Sequence, residues 1–193
     1  CVTSNTSTFY VGDNEGSCQI YKLDAHNKSH MTKFLGRFKL HDNNWIKQLV
    51  YVPFLNGIVS GGLDGKLLLS KWLFNDAKNS VLLKEVVTIY QYKNGIKSFD
   101  YSSASHTIIV CCYDNTINII DPLVCARIGQ LGTSGFHGHR SEIISVHCND
   151  MYHQYITCSS DKNIRLWDIR NFNLIQQYYD TNQKTLLNCV KCN

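Results

Sequence analysis

The chain has 193 residues, 44% of them apolar and 11% aromatic, and a formal net charge of +4. That composition sustains a packed core and excludes an extended disordered chain. No run of eighteen apolar residues occurs, which argues against a membrane-spanning helix. Lys and Arg form neither a run nor a stripe, and no nucleic-acid-binding motif accompanies them.

In chain order, four acidic hairpins punctuate the sequence. Val11-Gly12-Asp13-Asn14-Glu15-Gly16-Ser17-Cys18 places Glu15 in a turn, and Val59-Ser60-Gly61-Gly62-Leu63-Asp64-Gly65-Lys66 places Asp64 there. Val110-Cys111-Cys112-Tyr113-Asp114-Asn115-Thr116-Ile117 repeats the pattern with Asp114. The last copy is the clearest. Ile143-Ile144-Ser145-Val146, Tyr155-Ile156-Thr157-Cys158 and Ile164-Arg165-Leu166-Trp167 read as three short strands. Asp150-Met151-Tyr152-His153 turns between the first two, and Asp161-Lys162-Asn163 between the second two, because Asp and Asn tolerate hairpin backbone angles. The acids at 15, 64, 114 and 161 step by 49, 50 and 47 residues. Leu186-Leu187-Asn188-Cys189-Val190 reads as a first strand with no module behind it, and the chain opens at Cys1 without a Met.

Chemical motifs fare poorly. Gly61-Gly62-Leu63-Asp64-Gly65-Lys66 fails as a phosphate loop, which needs four residues between its glycines and a Ser or Thr after the Lys; Leu67 stands there. Cys189-Val190-Lys191-Cys192 has zinc-knuckle spacing but no second pair of ligands. His137, His139, His147 and His153 lack the spacing and the Cys partners of a metal site. No serine elbow, metalloprotease helix or dinucleotide fingerprint appears. The reading is therefore no enzyme, no cofactor and no metal. Nine cysteines at irregular spacing fit reduced, packed thiols in a cytosolic protein, with adjacent Cys111 and Cys112 on opposite faces of one strand. There, the glycosylation-like Asn5-Thr6-Ser7 and Asn27-Lys28-Ser29 carry no meaning.

The stretch from Gly138-His139 to Trp167-Asp168 resembles a complete WD40 repeat, one four-stranded blade of a β-propeller. The recurring acids sit close to that family's period of about 40–45 residues. The resemblance implies an all-β propeller with about four blades in this chain: a partial blade over 1–40, blades over 41–91, 92–138 and 139–182, and a first strand over 183–193. With its ragged ends, the chain reads as a segment of a seven-bladed or double propeller. The family's structural hydrogen-bond chain of His, Ser or Thr, turn Asp and Trp falls on His139, Thr157, Asp161 and Trp167. In the second blade, His41, Ser60 and Asp64 match, but Ser70 replaces the Trp, with Trp72 two places on. The third blade has Tyr92, Val110 and Ile120 in the His, hydroxyl and Trp positions, and Asp121 follows its third strand as Asp168 does. In the first, Tyr21 takes the Trp position.

A narrower likeness runs from about residue 41 to 180. Gly95-Ile96-Lys97-Ser98-Phe99-Asp100-Tyr101-Ser102, Asp121-Pro122-Leu123-Val124 and Gly138-His139-Arg140-Ser141 look like WD-repeat/EF-hand cilia- and flagella-associated proteins, as does the segment from His41 to Pro53. This implies a non-catalytic scaffold of the ciliary axoneme, whose partners are proteins of microtubule-associated complexes, not nucleic acid or membrane. The alternatives are a cytosolic adaptor in ubiquitin ligation, RNA processing or trafficking, or a substrate-selecting propeller joined to an enzyme domain. On the rim bearing the turn acids, Trp45, Lys66, Tyr113, Arg140 and Lys162 are the candidate partner contacts, since hot spots favour Trp, Tyr and Arg.

Overall fold

The computed structural model describes residues 8–23, 32–75, 80–132, 138–179 and 187–191. Four antiparallel sheets follow one another among them. The first holds β1 (Thr8–Gly12), β2 (Ser17–Leu23) and β3 (Thr32–Lys39); the second holds β4 (Ile46–Val52), β5 (Gly57–Gly62), β6 (Lys66–Asn75) and β7 (Ser80–Gln91). The third comprises β8 (Ile96–Ser102), β9 (Thr107–Cys112), β10 (Ile117–Asp121) and β11 (Ala126–Leu131). The fourth comprises β12 (Ile143–Asn149), β13 (Gln154–Ser159), β14 (Asn163–Asp168) and β15 (Leu174–Tyr179). Every sheet is a meander with strands in chain order. A single 3-10 turn at Pro53–Leu55 is the one helical element among the described residues.

Strand composition follows burial. All residues of β5 and β9 are buried, so Gly57-Ile-Val-Ser-Gly-Gly and Thr107-Ile-Ile-Val-Cys-Cys are continuous small or apolar runs rather than alternating ones. Successive side chains point to opposite faces, and each face meets a different neighbour. Ile58 packs in a core with Tyr10, Cys18 and Ile20 of the first sheet, while Val59 packs with Phe99 and Ile108 of the third. Ile108 and Val110 face the second sheet, and Ile109 and Cys111 face Tyr155 and Trp167 of the fourth. The sheets are therefore blades stacked face to face. Strand β1 adjoins β4, β4 adjoins β8, and β8 adjoins β12. Burying each Ile, Val or Leu in these interfaces contributes roughly 1.5–3 kcal/mol.

Polar groups tie the inner strands across the blades. The Gln48 amide in β4 brackets the Phe99 backbone in β8, donating to its carbonyl and accepting from its N–H. Asp100 in β8 accepts from the Cys148 N–H in β12 at 2.9 Å and lies 2.8 Å from the His147 ring. Asp150 accepts from the Ser102 and Ser103 hydroxyls, and Thr107 bonds the Tyr155 hydroxyl at 2.6 Å.

Two details depart from the sequence reading. Residues 187–191 form no strand, and the rest of the stretch 183–193 lies outside the described residues. In the first hairpin Glu15 holds the phase of the other turn acids, but Asp13 takes over their role. The Asp13 Oδ1 accepts from the N–H groups of Glu15 and Ser17. Arg37 bridges the two acids, donating to Asp13 Oδ2 at 2.6 Å and to the Glu15 carboxylate at 2.8 Å.

A backbone constraint recurs with the same steps as the acids. Gly16, Gly65, Asn115 and Lys162 all have left-handed backbones, with φ of 81°, 75°, 62° and 63°. The Gly16 carbonyl accepts from the N–H groups of Leu40 and His41, and the Gly65 carbonyl from that of Tyr92. A side chain at Gly65 would also place its Cβ 2.5 Å from the Tyr92 carbonyl oxygen. Gly65→Ala is therefore expected to destabilise the chain by more than about 1 kcal/mol, read as a lowered urea midpoint. An unchanged midpoint would show that this close approach does not constrain the crossover.

Candidate interaction surface

The fourth blade builds a directional hydrogen-bond chain. Trp167 Nε1–H donates to Thr157 Oγ1 at 3.0 Å, and Thr157 Oγ1 lies 2.8 Å from His139 Nε2. His139 Nδ1 lies 3.1–3.2 Å from both Asp161 oxygens. These contacts are satisfied together by a neutral imidazole whose Nδ1–H donates to the carboxylate and whose Nε2 accepts from the threonine hydroxyl. Burial, and then the Arg165 charge, push the His139 pKa down to about 4 against the opposing pull of Asp161. Burial opposes ionisation of Asp161 too, yet the N–H groups of Arg140 and Asn163 and the His139 ring hold its carboxyl below the ordinary value.

The second blade keeps part of this chain. His41 Nδ1 lies 2.9 Å from Asp64 Oδ1, and Nε2 lies 2.9 Å from Ser60 Oγ. There the chain stops, because Ser70 donates to the Ile58 carbonyl instead. Trp72 packs on Phe38 and Tyr10 of the first blade, and its buried Nε1–H has no partner among the described residues. In the third blade Asp114 is held by the Thr116 hydroxyl at 2.6 Å and the Asn94 amide at 3.1 Å. Tyr92, in the His position, has a buried hydroxyl that is likewise without a partner among the described residues.

These carboxylates anchor one rim, formed by the β5–β6, β9–β10 and β13–β14 hairpins and the crossovers into each blade. Backbone bonds join the two sets: Leu63 N–H to the Trp45 carbonyl, Tyr113 N–H to Gly95, and Ser160 N–H to Glu142. Trp45, Lys66, Tyr113, Arg140 and Lys162 all lie on it. Trp45 is 54% exposed, with Lys47 Nζ 5.6 Å from its ring centroid. Lys97 Nζ stands 5.1 Å from the Tyr113 ring and 2.6 Å from Glu142 Oε1. Lys66 pairs with exposed Asp42 at 2.7 Å, a contact of little energetic weight at the surface. Arg140 is fastened through its N–H to Asp161 Oδ2, and Lys162 occupies the left-handed turn position. Sequence reasoning did not single out Lys47, Lys97 or Glu142. Lys97 stands at the start of β8, so its place next to a strand end, rather than alternation, was the signal for the rim.

The described residues contain no group of three His, Cys, Asp or Glu arranged to hold a metal. Burial pushes the Cys18 thiol up to about 12 and the Cys158 thiol to about 11, so these thiols are inert packing groups. Cys192 and His137 lie outside the described residues.

Residues 83–121 and 129–168 match the family model described as "WD domain, G-beta repeat". These two stretches carry WD40 repeats. It is 27% identical over 167 residues to Cilia- and flagella-associated protein 337 B of Tetrahymena thermophila, covering 86% of this chain and 12% of that protein. It is 28% identical over 82 residues to Cell division cycle protein cdt2 of Schizosaccharomyces pombe, covering 41% of the chain and 16% of cdt2. Against the guanine nucleotide-binding protein subunit beta of Oryza sativa subsp. indica, identity is 25% over 133 residues, or 65% of the chain and 33% of that subunit. The chain thus spans between an eighth and a third of the length of these relatives. Its blades suit protein–protein interaction. No helix among the described residues is long and apolar enough to cross a membrane.

Three outcomes follow from the WD40 hydrogen-bond chain. Trp167→Phe keeps an aromatic ring but removes the donor to Thr157 and part of the buried indole, and is expected to lower unfolding free energy by at least about 1–3 kcal/mol. Tyr92→Phe deletes an unpartnered buried hydroxyl, so its thermal midpoint should equal or exceed that of the parent; a drop would mean the hydroxyl is satisfied. The third concerns pH. The folded His139 pKa of about 4 lies below the ordinary 6.5, so the unfolded chain takes up a proton first as pH falls. Stability contributed by neutral His139 is whole above about 6.5 and is lost as pH falls towards 4; depressed Asp161 adds loss in the same direction at lower pH. Urea midpoints from pH 7 to 4 should fall, and less steeply in His139→Gln; a flat profile would contradict the assignment.

Proposed function

We propose that this chain is a non-catalytic protein-interaction scaffold of the ciliary axoneme, presenting the rim of turn acids to a partner in a larger multiprotein assembly. One observation carries the reading: the likeness to a cilia- and flagella-associated protein runs over 86% of the chain. The rim supports it physically. Trp45 and Tyr113 are large, exposed and fastened at their backbones, so little ordering entropy is lost when a partner buries them. Lys66, Arg140 and Lys162 supply charge at the margin, where it steers encounter and fixes register.

The likeness to cdt2 and to a G-protein β subunit favours a second reading, a cytosolic adaptor using the same rim. Fractionation separates the two. The full-length tagged protein, expressed in ciliated cells, is expected to remain with axonemes after detergent extraction. Trp45→Ala combined with Tyr113→Ala should release it while leaving the thermal midpoint unchanged. Absence of the parent protein from cilia would remove the axonemal reading, and retention of the double variant would remove the rim as the docking face.

A further inference from the structure

A cavity of about 450 Å³ opens on the fourth blade, lined by Arg140, Asp161, Asn163, Arg165, Gln177 and Tyr179. Arg165, Asn163 and Trp167 alternate along β14 and so share one face, with Gln177 and Tyr179 of β15 directly opposite Arg165 and Asn163. Arg165 is only 3% exposed, yet its guanidinium is poorly served. Nε donates to Gln177 Oε1 and Nη1 to Asp161 Oδ2, both at 3.4 Å, beyond the usual N–H···O range. Nη2 makes no hydrogen bond among the described residues and is not fully buried. A guanidinium held this deep, with one nitrogen left open, offers an anion a preset pair of donors.

The surrounding groups have little to offer it. Both Asp161 oxygens already accept from His139 and from the N–H groups of Arg140 and Asn163. The Asn163 amide donates to the Asp161 carbonyl and accepts from Gln177, so those two amides brace the wall. Arg140 also lines the cavity; it is exposed, and its guanidinium has no hydrogen-bond partner among the described residues. Two guanidinium groups against one carboxylate leave a single positive charge, His139 being neutral.

We propose that this cavity is a carboxylate-binding site, in which Arg140 and Arg165 hold the side-chain carboxylate of a glutamate or aspartate presented by a partner protein. A monoanion balances the surplus charge one for one. A phosphate dianion would overshoot it and meet the negative charge of Asp161, whose oxygens act only as acceptors. The planar fork of a guanidinium matches a carboxylate with two parallel bonds, and Tyr179 lines the same cavity. The inference deepens the scaffold reading by naming the group that the fourth blade takes.

The test is a titration of the full chain, followed by NMR of arginine Nε–H resonances. The probes are N-acetyl-glutamate amide, its glutamine counterpart and inorganic phosphate. The Arg165 resonance should shift saturably with the glutamate probe and not with glutamine. In Arg140→Gln, whose thermal midpoint should match the parent, affinity should fall about tenfold or more. No saturable shift, or an equal shift with glutamine, would overturn the site; tighter binding of phosphate than of the glutamate probe would overturn the carboxylate. A failed titration leaves axonemal retention untouched, and loss of retention leaves the titration untouched, so the two failures are distinguishable.

Discussion

The carboxylate at the tip of each blade's second hairpin is the constraint on which the rest depends. Asp64, Asp114 and Asp161 each accept from the N–H two residues on, fixing a turn whose next residue must be left-handed. Two of them also reach a histidine in the crossover, so one side chain closes the hairpin and ties down the segment entering its blade. The tie spans 22 residues for His139 and Asp161, and sequence-distant elements are thereby held in one register. Because the carboxylate and the ring are buried, each is stable in that state only while the other is present.

The blades then need each other. A strand such as β9 is buried on both faces, so no single sheet covers its own apolar surface. Alternate residues of that strand feed two different cores, which spreads any local loosening into both neighbours. The third blade illustrates the division of labour. It lacks the His, hydroxyl and Trp of the polar chain, yet Thr116 and Asn94 keep Asp114 in place and the flanking cores do the rest. A rigid stack of this kind positions rim side chains without moving, the property an interaction platform requires.

Much of the fold was legible because it rests on short-range chemistry. Asp161-Lys162-Asn163 reads as a turn from residue type alone, and Tyr155 to Cys158 and Ile164 to Trp167 flank it with strand composition. What stayed hidden depends on side chains meeting across the chain. Glu15 shares the phase of the other acids, but a two-residue offset lets Asp13 reach the N–H groups of Glu15 and Ser17, while Arg37 bridges both carboxylates. The tip sequence does not contain Arg37. Arg165 reads as an ordinary polar position in an alternating strand; its burial follows from sharing a face with Trp167 and pairing with Gln177, which only strand register reveals. The five rim residues are separated in sequence by up to 117 positions, and the hairpin-to-crossover bonds bring them onto one surface.

A double-mutant cycle on His139 and Asp161 addresses the central claim most directly. Unfolding free energies of His139→Ala, Asp161→Ala and the double variant should be non-additive by about 1–3 kcal/mol, because each partner strands the other when removed alone. Additive losses would mean that the hairpin tip and the crossover are held independently, and the carboxylate tie would cease to explain how the blades keep their register.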